Sequence, residues 1–304
     1  MSNFRYYVSR ARRKFDEARF AKLARRVLEF RPLEMQPAPL CFVSMVSHKD
    51  LSPWLCAIRS VYGQVGEGRV LVLDDGSLTP DDHAAIRRLV PLSAIEPISA
   101  VELGSCPRGG TWERLARIIE LTSDSYVIQV DADTLALEAI PEVVDCYRRN
   151  LSFILGTTSG VELESVRETA VNARTYQSTH VQCAAELAME RLPEAEGLLY
   201  VRGSSGFAGF GRGLFDRSKL DTYSAAMRAM LGPRWDEWGT EQVSSNFMIA
   251  NSAGAVVLPI KRYVCFSPAI GMSQAAFVHF FGTHRYDLGA YANSVRDFLA
   301  QEAP

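Results

Sequence analysis

A chain of 304 residues, 47% hydrophobic and 22% charged, has the composition of a globular protein, long enough for one large α/β domain or two ordinary ones. The net charge of −2 hides an asymmetry: residues 1–31 hold ten Arg or Lys against three acids, leaving about −9 for the remainder, and no nucleic-acid partner is expected. Six scattered cysteines without Cys-x-x-Cys spacing read as buried reduced thiols, no signal-peptide core is evident, and no run nears the ~20 apolar residues of a membrane span, so a cytoplasmic protein is expected.

Residues 4–30 predict a basic amphipathic helix. Phe4, Val8, Ala11, Phe15 and Ala18 recur at spacings of three and four, and Leu23, Val27 and Phe30 resume the stripe in a shifted phase. Such a helix could dock on an anionic membrane, where each basic residue near lipid is worth about 1 kcal/mol. It could equally pack on the body with a solvated basic face. Pro32, Pro37 and Pro39 read as a linker, so residues 1–36 are expected to form an arm ahead of a domain spanning 37–304.

The body begins with a strand at Leu40–Val46, then Ser44 and His48 near its end and a helix from about Ser52 with Pro53 in its first turn. A strand at Arg69–Leu73 runs into Asp74-Asp75-Gly76-Ser77. A helix at Pro80–Val90, a weak strand at Ala94–Pro97 and a helix at Thr111–Leu121 follow. The next strand, Tyr126–Val130, opens onto Asp131-Ala132-Asp133. This alternation predicts a parallel, helix-covered sheet. Later segments predict a strand at Leu151–Leu155, helix over most of Val166–Arg191, and a glycine-rich stretch at Gly203–Gly213. A helix within Trp238–Asn251, strands at Ala255–Leu258 and Tyr263–Phe266, a polar-aromatic cluster at Phe277–Tyr286 and a helix from about Leu288 complete the chain.

Asp131 and Asp133 carry the strongest chemical signal. They emerge where open α/β sheets bind ligands. Two carboxylates this close repel by roughly 4 kcal/mol at 4 Å and an effective dielectric near 20, which a divalent cation with oxygen ligands would offset. Asp75, at the end of another buried strand, suits hydrogen bonding to a nucleoside base or ribose, or simply forms a turn.

Ser-Met-Val-Ser-His-Lys-Asp, Leu-Asp-Asp-Gly-Ser and Val-Asp-Ala-Asp-Thr together resemble the nucleotide-sugar glycosyltransferases of the GT-A fold over roughly residues 40–135. The resemblance implies an α/β, Rossmann-like, mainly parallel sheet flanked by helices. It implies a nucleotide-binding half at about 37–160 and an acceptor half at about 161–290. It assigns Asp75 to the nucleobase, and Asp131 and Asp133 to a metal on the donor diphosphate. Ser44, His48, Arg108, Gly109 and Arg114 become donor-contact candidates. His279-Phe280-Phe281-Gly282-Thr283-His284-Arg285-Tyr286 is similar to a signature of glycogenin-like retaining members. It implies His279 as third metal ligand, Gly282 at the diphosphate and Arg285 neutralising it, although Arg replaces Lys and Tyr286 departs from the pattern. An imidazole with two carboxylates suits Mn2+, with Mg2+ the alternative.

Glu241-Gln242 followed by Asn246 resembles the acceptor-side motif of that group, while Glu241 alone would match the base of cellulose-synthase-like inverting members. Stereochemistry stays open. Gly203–Phe210 would fit a segment closing over donor and acceptor, or a glycine-bent strand in the core. The expectation is a metal-dependent glycosyltransferase using a UDP-sugar and a glycan, lipid-linked or protein acceptor in cell-surface glycan synthesis, with membrane contact at the inner face through residues 1–31. The alternatives are a sugar-phosphate nucleotidylyltransferase, disfavoured because Ser44–Asp50 lacks glycine, and a degenerate nucleotide-binding scaffold, which Gln242 would suit.

Overall fold

The structure, a computed structural model, describes residues 2–302, with side chains from residue 10 onward. Phe4 and Val8 of the predicted stripe lie outside the described side chains. Helix α1 (Ser2–Ala24) ends in a short 3-10 turn, Arg25–Glu29. The first half of the body then alternates as β1 (Leu40–Val46), α2 (Leu51–Val65), β2 (Arg69–Asp74), α3 (Pro80–Leu89), β3 (Ser93–Pro97), α4 (Trp112–Leu121) and β4 (Tyr126–Val130). Next come β5 (Thr134–Ala136), α5 (Pro141–Arg148), β6 (Phe153–Leu155), β7 (Glu164–Ser165), α6 (Val166–Thr175), α7 (Val181–Met189) and β8 (Leu199–Tyr200). The chain finishes with β9 (Ser204–Phe210), α8 (Arg217–Leu231), α9 (Thr240–Ala250), β10 (Val256–Leu258), β11 (Tyr263–Cys265), β12 (Phe277–His279) and α10 (Ala290–Gln301).

The seven-stranded sheet has the order β10-β6-β9-β4-β1-β2-β3. β4, β1, β2 and β3 are parallel to one another, β10 is parallel to β6, and β9 runs antiparallel to both its neighbours. Burial on both faces explains the near-continuous apolar strands. Their period of two sorts the side chains. Leu40, Phe42, Val70, Val72 and Ile128 join the core beneath α1, α2, α3 and α10, whereas Cys41, Val43, Leu71, Leu73 and Val127 face α4, α7, α8 and α9. The carboxyl ends of β1, β2 and β4 share one edge, and the chain's progress across the sheet reverses between β4 and β1. That edge is where Asp131 emerges.

A three-stranded sheet, β11-β12-β5, sits at the same edge. α1 is seated on the body: Phe20 is buried and stacks on Tyr291 at 4.0 Å, with Ala24 and Val27 buried behind it. Arg13 pairs with Asp287 at 3.1 Å and Arg19 donates to Asn293 at 2.8 Å. The proline segment is also laid on the body, with the Leu33 N–H donating to the Leu89 carbonyl at 2.9 Å and the Gly68 N–H to the Gln36 carbonyl at 2.7 Å. The outer face of α1 keeps Phe15 at 68% exposure among exposed Arg12, Lys14 and Lys22. No helix of the described residues is long and apolar enough to cross a membrane. All six cysteines are free and buried, as the sequence predicts.

Candidate metal and donor site

β4 delivers Asp131, whose N–H donates to the Gly206 carbonyl of β9 at 2.9 Å. The Thr134 hydroxyl closes the following turn on the Asp131 carbonyl at 2.8 Å. β5 then pairs antiparallel with β12, setting Thr134 opposite His279, and the Phe280 N–H donates to the Asp133 carbonyl at 2.8 Å. This short ladder joins chain positions far apart in sequence. It leaves His279 Nε2 at 3.1 Å from Asp133 Oδ1, and the other ring nitrogen, Nδ1, at 3.2 Å from Ser204 Oγ. Gly206 makes room for the ring: a Cβ there would lie 2.2 Å from His279 Cε1. Asp131, Asp133 and His279 each direct one ligand atom so that all lie within 4.8 Å of one another.

Two guanidiniums complete the cluster. Buried Arg114, on α4, bonds Asp131 Oδ1 and faces Glu241 Oε1 at 3.6 Å. Arg285 bonds Asp133 Oδ2 and donates to the Phe280 carbonyl at 3.2 Å. Burial pushes the Asp131 carboxyl above its ordinary value, with Arg114 opposing. Burial acts the same way on Asp133, but His279 and Arg285 beside it prevail and hold it low. For His279, burial disfavours the charge, yet the Asp133 carboxylate outweighs it and lifts the imidazole to about 10. The donor set, two carboxylates and one imidazole, fits a manganese-type ion. An ion held by these three residues would take the place of the imidazolium proton.

Glu241 lies in the first turn of α9, behind Gly239 at φ +104°. Its Oε2 accepts from the Thr111 hydroxyl at 2.9 Å and the Ser205 hydroxyl at 3.3 Å, while the buried Oε1 has no hydrogen-bond partner. Burial raises this carboxyl and Arg114 only partly offsets it. Gly109, Gly110 and Thr111 all have positive φ, and the non-glycine Thr111 holds +73°. Such strain gathers at functional turns. Gln242 Oε1 accepts the Ser205 N–H at 3.3 Å. Asn246 instead donates to the Gly203 carbonyl at 2.9 Å, inside the core.

The remaining sequence candidates stand apart from this cluster. Ser44 is fully buried and its hydroxyl donates to the Val130 carbonyl at 2.6 Å, so it braces β1 against β4 and has no surface for a donor contact. Asp75 is exposed, with Oδ1 accepting from the Ser77 N–H at 2.9 Å and hydroxyl at 2.6 Å. His48 joins the same turn through its N–H to Ser77 Oγ at 2.9 Å, and its Nδ1 lies 2.6 Å from Asp82. Arg108 is exposed and 3.9 Å from Glu113, whose Oε1 accepts the Gly109 N–H at 2.9 Å. Gly282 is exposed at φ +58° in the turn before Arg285. Of the two readings of Gly203–Phe210, the structure shows the glycine-bent core strand: Ser204–Phe210 forms buried β9, with Phe207 stacked on Phe277 at 4.0 Å. Thr111 escaped the sequence analysis, and Ser204 and Ser205, inside the singled-out Gly203–Phe210 segment, were given no role with Glu241 or His279. The Gly-Ser-Ser-Gly run was the signal for the two serines, and Gly109-Gly110 that for Thr111.

No protein-family model matches the chain, and no curated protein matches its sequence. Among solved structures, the galactosyltransferase LgtC in complex with donor and acceptor sugar analogues is similar at TM-score 0.50 and 11% identity, over 84% of this chain and 95% of that one. Mouse xyloside xylosyltransferase 1 gives 0.46 and 12% over 84% and 99%, and the S. cerevisiae mannosyltransferase Ktr4p gives 0.43 and 10% over 80% and 78%. With a mostly parallel sheet and an Asp-x-Asp at its carboxyl edge, the chain has the GT-A fold of nucleotide-sugar glycosyltransferases.

Proposed function

We propose that the protein is a metal-dependent glycosyltransferase that moves a sugar from a nucleoside diphosphate, UDP favoured, to an acceptor hydroxyl in cell-surface glycan synthesis. The convergence of Asp131, Asp133 and His279 at the carboxyl edge of a GT-A sheet carries this reading. A manganese-type ion held by these three residues would supply Lewis-acid stabilisation of the departing diphosphate. Arg285 adds a cation for the phosphates, next to a glycine turn that would let backbone N–H groups approach them. Arg114 pairs with both Asp131 and Glu241 and opposes the rise that burial causes in their carboxyls. Asp75 would contact the base, with His48, Arg108 and Gly109 as further donor contacts.

Glu241 has a buried, unpartnered oxygen and a raised pKa, which suits it to accept the acceptor's proton if the reaction inverts. If the reaction retains, Glu241 and Gln242 orient donor or acceptor. The bare Phe15 and basic outer face of α1 support a seat on the anionic inner surface of a membrane, close to a lipid-linked acceptor. Manganese-dependent hydrolysis of UDP-sugars tests the core of the proposal. Wild-type protein is expected to hydrolyse at least one donor, and Asp133→Ala to lose the manganese dependence; equal dependence in the variant would move the metal elsewhere.

A further inference from the structure

Three of the four tryptophans, Trp54, Trp112 and Trp235, are fully buried, whereas Trp238 is 74% exposed. Its position is not that of a stray surface residue. It stands three residues before Glu241, and its Cα lies 3.9 Å from where a Gly110 Cβ would be, against the turn that bears Thr111. The chain leading up to it is held by side-chain bonds. Arg228 and Asp236 pair through two bonds of 2.9 and 2.6 Å, Arg234 bonds Glu237 at 2.9 Å, and buried Trp235 donates to Ser224 at 3.0 Å. The chain therefore presents a bare indole beside the turn whose Thr111 bonds Glu241.

The surface continues beyond it. His180 meets Trp238 edge-on at 6.1 Å, in space that Gly239 leaves free: a Cβ there would lie 2.8 Å from His180 Cε1. His180 also lines a groove of about 400 Å³, whose walls carry Arg174, Tyr176, Ser178, Thr179 and Arg234 over an apolar floor that includes Ala184 and Leu187. This falls within the ~300–1,000 Å³ range of small-ligand sites. Arg234 ties its walls together by donating to the Thr179 carbonyl at 2.8 Å. An exposed aromatic face next to hydroxyls, an imidazole and an apolar groove matches a sugar ring, which offers an apolar C–H face and a rim of hydroxyls.

We infer that Trp238, His180 and this groove form an extended acceptor subsite, which stacks the sugar ring next to the one bearing the reactive hydroxyl. The enzyme would then prefer an oligosaccharide acceptor to a monosaccharide. This inference rests on the glycosyltransferase reading. Because Trp238 is the one exposed indole, acrylamide-quenchable fluorescence reports on it. The probes are lactose, cellobiose, maltose and mannobiose, with their monosaccharides, each added to protein holding manganese and UDP. At least one disaccharide is expected to shield Trp238, its monosaccharides much less. Trp238→Ala should raise the KM for that disaccharide about tenfold with kcat little changed, and Trp238→Phe should restore most of the loss. No shielding by any disaccharide, or an unchanged KM in Trp238→Ala, overturns the subsite. Absence of UDP-sugar hydrolysis by the wild-type protein overturns instead the reading beneath it.

Discussion

At Asp133, two cationic side chains share one carboxylate: His279 on Oδ1 and Arg285 on Oδ2. His279 is protonated up to about pH 10 in this arrangement, and an imidazolium cannot ligate. An ion must therefore release a proton as it binds, so manganese affinity should rise with pH below 10. The limit is about tenfold per pH unit for one proton released. Calorimetric titrations at pH 6, 7 and 8 check this, and His279→Ala should flatten the slope; a flat wild-type profile contradicts the proton exchange. Glu241→Gln preserves size while removing the charge. If Glu241 is the base, it should lower kcat by about 10²-fold or more while UDP binding persists. Comparable kcat in the variant would leave Glu241 a structural partner of Arg114.

The residues with charge were legible because each has a distinctive chemical type in a distinctive setting. Asp131, Asp133, His279, Arg114, Arg285 and Glu241 do meet. Thr111, Ser204 and Ser205 were not legible, since small hydroxyl residues beside glycines look like ordinary turn formers. Ser44 was misleading for the same reason: a serine at a strand end can face a ligand or a neighbouring strand, and only packing decides.

Among elements, those with a clear period were read within a few residues, as β1, β4, α3 and α4 demonstrate. β5 is only three residues long and shares a run with the Asp-x-Asp, so no period marks it. α8 buries Leu220, Tyr223 and Met227 between charged neighbours, a stripe too sparse to stand out. The break between α6 and α7 has no proline or glycine. There His180 caps α7 by accepting the Gln182 N–H at 3.2 Å. α1 belongs to this scale too, because its inner face packs on the segment that carries Arg285: Phe20 lies 5.6 Å from the Tyr286 ring. Its outer face should hold the protein to anionic lipid. Phe15→Asp is expected to reduce sedimentation with vesicles containing phosphatidylserine several-fold and to leave the melting temperature unchanged, since Phe15 is exposed. Equal sedimentation of both forms would remove the membrane role.

For the molecule as a whole, burial of both sheet faces dictated the α/β architecture, and the sequence carried that pattern openly in residues 40–130. Residues beyond 150 were harder, because β9 enters antiparallel and glycine-rich, with Gly206 leaving room for the approach of His279. At the carboxyl edge of the sheet, β4, β9 and β12 bring carboxylates and imidazole together. The most direct measurement is calorimetric titration of manganese into wild-type and Asp133→Ala protein, with and without UDP. One ion per chain, tightened by UDP and lost in the variant, is the expected result. Manganese binding of equal strength in Asp133→Ala would contradict it.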